Sequence, residues 1–290
     1  MHAPSSEVGS RVRLREGRWL GYAEYGVPDG EPILYLPGAP SSRLMHPPDE
    51  TTRAQGARLI VVERPGYGLS DFQPRRRLLD WPGDVAALAD ALDIGRFAVV
   101  GSSAGGPYAA ACAFKIPERL TCAAIVCGVG PVWVPGGLRE MPHIRQTGAI
   151  LARYAPGLLE PLLRTVGNPH RNPERFYRRM LAGNSDADRQ FLTRPDMQAM
   201  LMRNYLEATR SGMRGFARDA IILSNPWGFR LQDIRIPVFL WHGLDDANVS
   251  LAAARHVAQA IPDCRATFVS GEGHWLVWTH WEAILSTIMR

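Results

Sequence analysis

Nowhere in the 290 residues do about 18 consecutive apolar residues occur, so the sequence offers no candidate membrane-spanning helix. Met1 to Arg15 carry no apolar run of the signal-peptide kind, and a cytoplasmic location is the expectation. Lysine is almost missing: Lys115 stands alone among 33 basic residues, a bias of composition that says little about mechanism. The net charge of +5 does not form a basic face, because 28 acidic residues are interspersed among the basic ones, and no nucleic-acid partner is expected. Arg75, Arg76 and Arg77 make the one dense basic run, which reads as a solvated loop. Cysteine is scarce, and Cys112, Cys122, Cys127 and Cys264 lie in apolar stretches without ligand spacing, so they read as buried thiols. There is no H-E-x-x-H, no G-K-[ST] ending and no G-x-G-x-x-G, which leaves no basis for a metal, a nucleotide or any other cofactor.

What is present is an alternation of short apolar runs with helix-like segments, the pattern of a mostly parallel sheet covered on both faces. Val12–Arg15 and Trp19–Tyr25 around Glu16-Gly17 suggest an edge hairpin, and Pro32–Leu36, Arg58–Val62, Phe97–Val100 and Cys122–Cys127 read as buried strands. Val85, Leu88, Ala89 and Leu92 recur at helical spacing, whereas Asp84 and Asp93 read as surface or capping positions. From about Gly130 to Asn225 the alternation stops, and a stretch of that length without strands predicts a helical insertion rather than a loop. It resumes with the strand Pro237–Trp241, a helix near Leu251–Ala260, the strand Ala266–Val269 and a last helix from about Trp281. The expected organisation is a core from 1–129 and 226–290 with a cap at 130–225.

Gly101-Ser102-Ser103-Ala104-Gly105 follows one predicted strand and opens a helix of small residues. A serine on so sharp a strand-to-helix turn needs small neighbours two positions either side, and Gly101 and Gly105 supply them. Ser102 fails that test because Val100 would hold the small position. A serine hydroxyl needs a base to take its proton, and the base needs a third group to fix its tautomer. Both should lie after later strands. His242-Gly243-Leu244-Asp245-Asp246 follows one, and Ser270-Gly271-Glu272-Gly273-His274 follows the next. The order is serine, acid, histidine, with Asp245 competing with Asp246 for the acid; His242 reads as a packing residue, and His280 lies too far into the next helix to compete with His274.

With these strings in place, nearly the whole chain resembles the α/β-hydrolase family, in its serine-nucleophile branch of esterases, lipases and C–C hydrolases. The resemblance implies the α/β-hydrolase fold with a helical cap and a triad of Ser103, Asp246 and His274, since the family's acid stands three residues after the glycine of H-G-x-x-D. Arg64-Pro65-Gly66-Tyr67-Gly68-Leu69-Ser70 is similar to the family's D-R-P-G-x-G-x-S turn, with Glu63 in place of aspartate. Pro37-Gly38-Ala39-Pro40 resembles the H-G-x-P loop, with Pro37 in place of histidine. By the same resemblance the backbone N–H groups of Ala39 and Ala104 form the oxyanion hole. A serine nucleophile sets the chain apart from the dehalogenase and epoxide hydrolase branches, which the resemblance implies need aspartate there.

The expected reaction is hydrolysis of an ester or related acyl bond in a small to medium apolar substrate. Met141, Ile144, Ile150, Leu151, Tyr154, Phe176, Tyr177, Met180, Phe191, Met197, Met200, Leu201 and Tyr205 are candidates for the pocket, most of them expected simply to pack helices together. A ligand-sensing receptor that keeps the triad, or lyase, acyltransferase or cyclase chemistry on the same site, are the competing readings.

Overall fold

The computed structural model describes residues 9–132, 134, 138–139, 141 and 143–289; the first eight residues and parts of the predicted cap's leading edge lie outside these. Eight strands form one sheet in the order β1-β2-β4-β3-β5-β6-β7-β8. They are β1 (Ser10–Arg13), β2 (Trp19–Gly26), β3 (Glu31–Leu36), β4 (Ala57–Val62), β5 (Phe97–Ser102), β6 (Leu120–Val126), β7 (Val238–Gly243) and β8 (Cys264–Val269). β2 pairs antiparallel with β1 and with β4, as an edge hairpin should, and every other pairing is parallel.

Strand periodicity sorts the core into two layers. Leu34, Leu36, Ile60, Val62 and Val99 point to one face, where α2 (Trp81–Ala91), α3 (Gly105–Lys115) and α10 (Leu251–Ala260) pack. Ile33, Tyr35, Leu59, Val61, Val100 and Val126 point to the other, against α12 (Trp281–Ile288) and α11 (Leu276–Thr279), with α1 (Asp49–Ala54) tied in through Trp281 Nε1 to Thr52 Oγ1 at 2.9 Å. Between β6 and β7 the chain runs through α4 (His143–Tyr154), α5 (Pro156–Val166), α6 (Pro173–Ala182), α7 (Asp186–Leu192), α8 (Pro195–Ala208) and α9 (Arg214–Leu223). Tyr177, Leu192, Leu201 and Tyr205 of these helices pack with Met45 and Trp275, which seats the segment over the carboxyl ends of the strands.

Two expectations fail. Arg76 is not in a solvated loop: it is buried and ion-pairs with Asp219 of α9, while Arg75 and Arg77 beside it are exposed. Asp84 is not a surface residue either, but is buried against Arg18, with oxygens 2.8 and 3.2 Å from the guanidinium. Cys112, Cys122 and Cys127 are buried free thiols, and Cys264 is half-buried. No helix among the described residues is long and apolar enough to cross a membrane.

Candidate active site

Ser103 stands between β5 and α3 with φ at +52°, a left-handed conformation that costs a non-glycine residue energy and is retained only where its surroundings fix it. Its N–H donates to Val126 O at 3.0 Å, and its carbonyl accepts from Gly106 and Val129 at 3.0 and 2.9 Å. The flanking glycines are required by space. A Cβ on Gly101 would stand 2.3 Å from Gly105 O, and one on Gly105 would stand 1.9 Å from Leu36 O. The turn thereby brings the Ser103 hydroxyl to the mouth of the sheet, 3.0 Å from His274 Nε2.

His274 Nδ1 lies 2.9 Å from Asp246 Oδ2, so serine, imidazole and carboxylate form one hydrogen-bonded line. Asp246 Oδ1 accepts from the amides of Asn248 and Val249 at 2.7 and 2.9 Å. Burial alone would raise the Asp246 pKa, but the His274 imidazole, then His242 and the Val249 amide, bring it below the usual value. Asp245 is exposed and takes no part in the line. His242 is buried edge-on to Phe268, as a packing residue should be, and burial pushes its pKa down, keeping it neutral.

The loop carrying His274 is held from outside the core. Asp188, a buried residue of α7, accepts from the amides of His274 and Trp275, both at 3.0 Å, and its Oδ2 also accepts from Ser185 Oγ at 2.9 Å. Gly273 is required here, since a Cβ would stand 2.3 Å from the Asp188 carboxylate.

The loop after β3 is braced without the histidine that Pro37 replaces. Arg64 donates from Nη1 to Pro37 O at 2.5 Å and from Nη2 to Gly38 O at 2.7 Å, while its Nε pairs with Asp219 Oδ2 at 2.8 Å. Asp219 accepts in addition from Tyr67, Tyr108 and Arg76. Burial would raise the Asp219 pKa, yet the two guanidinium groups and the Tyr108 phenol hold it at about 2. The fork keeps Gly38 close enough that a Cβ there would lie 3.1 Å from Ser103 Cβ. Neither the Ala39 nor the Ala104 amide donates to another described residue, so both remain available beside the serine.

Above the hydroxyl lies a cavity of about 100 Å³ lined on its apolar side by Met45, Met180, Val277 and Trp278, with Ser103 and His274 at its floor. Of the aliphatic and aromatic candidates named from sequence, Met180 and Tyr205 reach this cavity; Ile144, Ile150 and Tyr154 are exposed, and Tyr177 and Leu201 pack among the inserted helices. Cys127, Asp246 and His274 offer ligand atoms within 4.8 Å of one another, the one such grouping among the described residues. It suits a metal poorly: burial holds the Cys127 thiol protonated and donating to Gly273 O, and both imidazole nitrogens are engaged.

Residues 31–280 match the family described as alpha/beta hydrolase fold. A 2-hydroxy-6-oxononadienedioate/2-hydroxy-6-oxononatrienedioate hydrolase of Cupriavidus pinatubonensis is 28% identical over 79% of this chain and 74% of its own. A non-heme chloroperoxidase of Streptomyces lividans is 27% identical over 94% of this chain and 95% of its own. Among solved structures, a hydrolase from Pseudomonas aeruginosa superposes with a TM-score of 0.72 over 98% of both chains at 14% identity, a likeness of fold. With the family matched from β3 through the Ser103 turn to the histidine loop, the chain is a hydrolase belonging to the alpha/beta hydrolase fold family.

Proposed function

We propose that the chain hydrolyses an ester or related acyl bond of a short substrate through an acyl-enzyme on Ser103. Ser103 Oγ attacks the carbonyl carbon as its proton passes to His274 Nε2, and the amides of Ala39 and Ala104 hold the resulting oxyanion. Collapse of that intermediate breaks the acyl C–O bond, and His274 returns the proton to the leaving alkoxide. His274 then takes a proton from water, whose oxygen attacks the acyl carbon; collapse breaks the bond from that carbon to Ser103 Oγ, and His274 returns its proton to Oγ as the acid leaves. Asp246 stabilises the imidazolium in both halves. The single observation that carries this reading is the line from Ser103 Oγ through His274 to Asp246, at 3.0 and 2.9 Å.

Helices α4–α9 would act as the cap that shapes the acyl pocket. A cavity of about 100 Å³ is smaller than the roughly 150 Å³ engineered cavity known to hold benzene, which favours short acyl groups. The test is a fluorophosphonate probe with peptide mapping, together with ester turnover by Ser103→Ala. Labelling at Ser103 and a fall in turnover of about 10⁴- to 10⁶-fold are expected. Ester turnover by Ser103→Ala near that of the unaltered chain would overturn the assignment. The relative named for a 2-hydroxy-6-oxo substrate favours a second reading, in which the bond broken lies beside a ketone. Product analysis on an ester and on a ketone analogue separates the two.

A further inference from the structure

Six of the seven large apolar side chains left exposed among the described residues stand on two consecutive helices of the insertion. Ile144, Ile150 and Tyr154 belong to α4, and Leu158, Leu162 and Val166 to α5. On α5 they recur every fourth residue and so run as one line along the helix. Leu159 and Leu163, next to that line, are the ones the fold covers, packing with Ala152 of α4 and with Ala217, Ala220 and Ile221 of α9. The apolar arc of α5 is therefore wider than its partners inside the chain. Single exposed apolar residues are ordinary, whereas a row of them along adjoining helices, with Leu158 63% and Ile144 80% exposed, marks an interaction surface.

The same helices hold the charge. From α4 through α6, residues 143–182, seven arginines stand against two glutamates, an excess of five that equals the net charge of the whole chain. Arg171 and Arg179 donate to the carbonyls of Thr165 and Val166 at 3.3 and 2.9 Å, which sets their guanidinium groups at the end of the Leu158 to Val166 line. Arg164 is exposed on α5 itself, and Arg175 and Arg178 are exposed on α6. None of these five forms an ion pair with a carboxylate among the described residues. Arg145, beside Ile144, is exposed and also lines the cavity over Ser103, so the surface begins at the cavity's rim.

We propose that α4 and α5 dock the chain on the surface of an anionic bilayer. The aliphatic side chains and Tyr154 enter the boundary between headgroups and acyl chains, and the arginines beside them meet lipid phosphates. A second copy of the chain would set this positive excess against its own like, and a nucleic acid would leave the apolar line without a partner. A bilayer answers both features at once and asks for no matching groove. Docking of this kind puts the cavity's rim against the membrane surface, and it holds whatever bond Ser103 breaks.

The test is co-sedimentation of the full chain with vesicles of phosphatidylcholine alone and of phosphatidylcholine mixed with phosphatidylglycerol. Binding to the mixed vesicles should exceed binding to the neutral ones by about tenfold or more, and should weaken as salt rises from about 0.1 M to about 0.5 M. One variant carries Leu158→Ser, Leu162→Ser and Val166→Ser, and a second carries Arg164→Gln, Arg175→Gln and Arg178→Gln. Each should bind the mixed vesicles about tenfold or more weakly. All six positions are exposed, so thermal unfolding of both variants should follow that of the unaltered chain. Where the serine variant is unstable, Leu158→Ser alone should still weaken binding about threefold or more. No binding to either kind of vesicle, equal binding to both, or full binding by either variant would overturn the proposal. Sedimentation velocity without lipid reads the other occupant: a dimer that the serine variant loses assigns the face to a second copy and also overturns it, while a monomer that binds the mixed vesicles supports it.

Discussion

Arg64 braces the loop after β3 and Arg145 lines the cavity, and they differ in what answers their charge. Arg64 is buried, pairs with Asp219 and grips the carbonyls of Pro37 and Gly38. Arg145 meets the oxygens of one asparagine. A cation matched inside the fold is part of the scaffold, and removing it strands its partner; an exposed cation that meets only neutral oxygens leaves no buried charge behind when it is removed.

Four measurements sharpen or break that contrast. Arg64→Met should have the largest effect, destabilising the chain by about 3–5 kcal/mol in denaturant unfolding, because Asp219 keeps its burial and loses one of its two cations while the Pro37 and Gly38 carbonyls lose their donor. A loss below about 1 kcal/mol would erase the distinction between the two arginines. Next comes Asp219. Its carboxyl is held at about 2, below the ordinary 3.8, so its contribution is complete above pH 4 and is lost as pH falls through 4 toward 2. The unaltered chain should therefore lose about 2 kcal/mol over that window through this group, and Asp219→Asn should lack that component of the acid slope. Asp84→Asn should cost about 1 kcal/mol or less, since burial raises the Asp84 pKa despite Arg18 and the pair lies nearer the surface. Smallest of all, Arg145→Gln should leave the unfolding free energy within about 0.5 kcal/mol, because the guanidinium is exposed and forms no ion pair with the described residues. A large loss of stability there would make Arg145 a scaffold residue.

The same contrast explains what could be read before the fold was known. Ser103, Asp246 and His274 each sit in a local string with glycines that close contacts or a positive φ require, backbone contacts at Gly101, Gly105 and Gly243, the Asp188 carboxylate at Gly273 and a φ of +77° at Gly271, so their signal survives in one dimension. Strands β3 to β8 were legible for a similar reason, being short apolar runs bounded by breakers. Helix α1 was missed, because six residues, Asp49 to Ala54, carry no apolar stripe. Asp84 had a usable signal: it stands one residue before Val85 and four before Leu88, on the buried face of α2, which predicts burial with a partner rather than exposure. Arg76, Asp188, Asp219 and Arg145 had none. Each acts on a residue far along the chain, and Arg64 and Asp219, 155 positions apart, share no local pattern.

Asp188 carries a practical consequence for anyone who would exchange the inserted helices to change the substrate. The proposed base takes its position from a carboxylate that belongs to the insertion, through the amides of His274 and Trp275. A transplanted segment lacking an equivalent acid would leave two buried amides unanswered and let the histidine loop drift, so activity would vanish for reasons unrelated to pocket shape. Chimeras that keep Ser185 through Asp188 in register should retain the chemistry while their selectivity is redrawn.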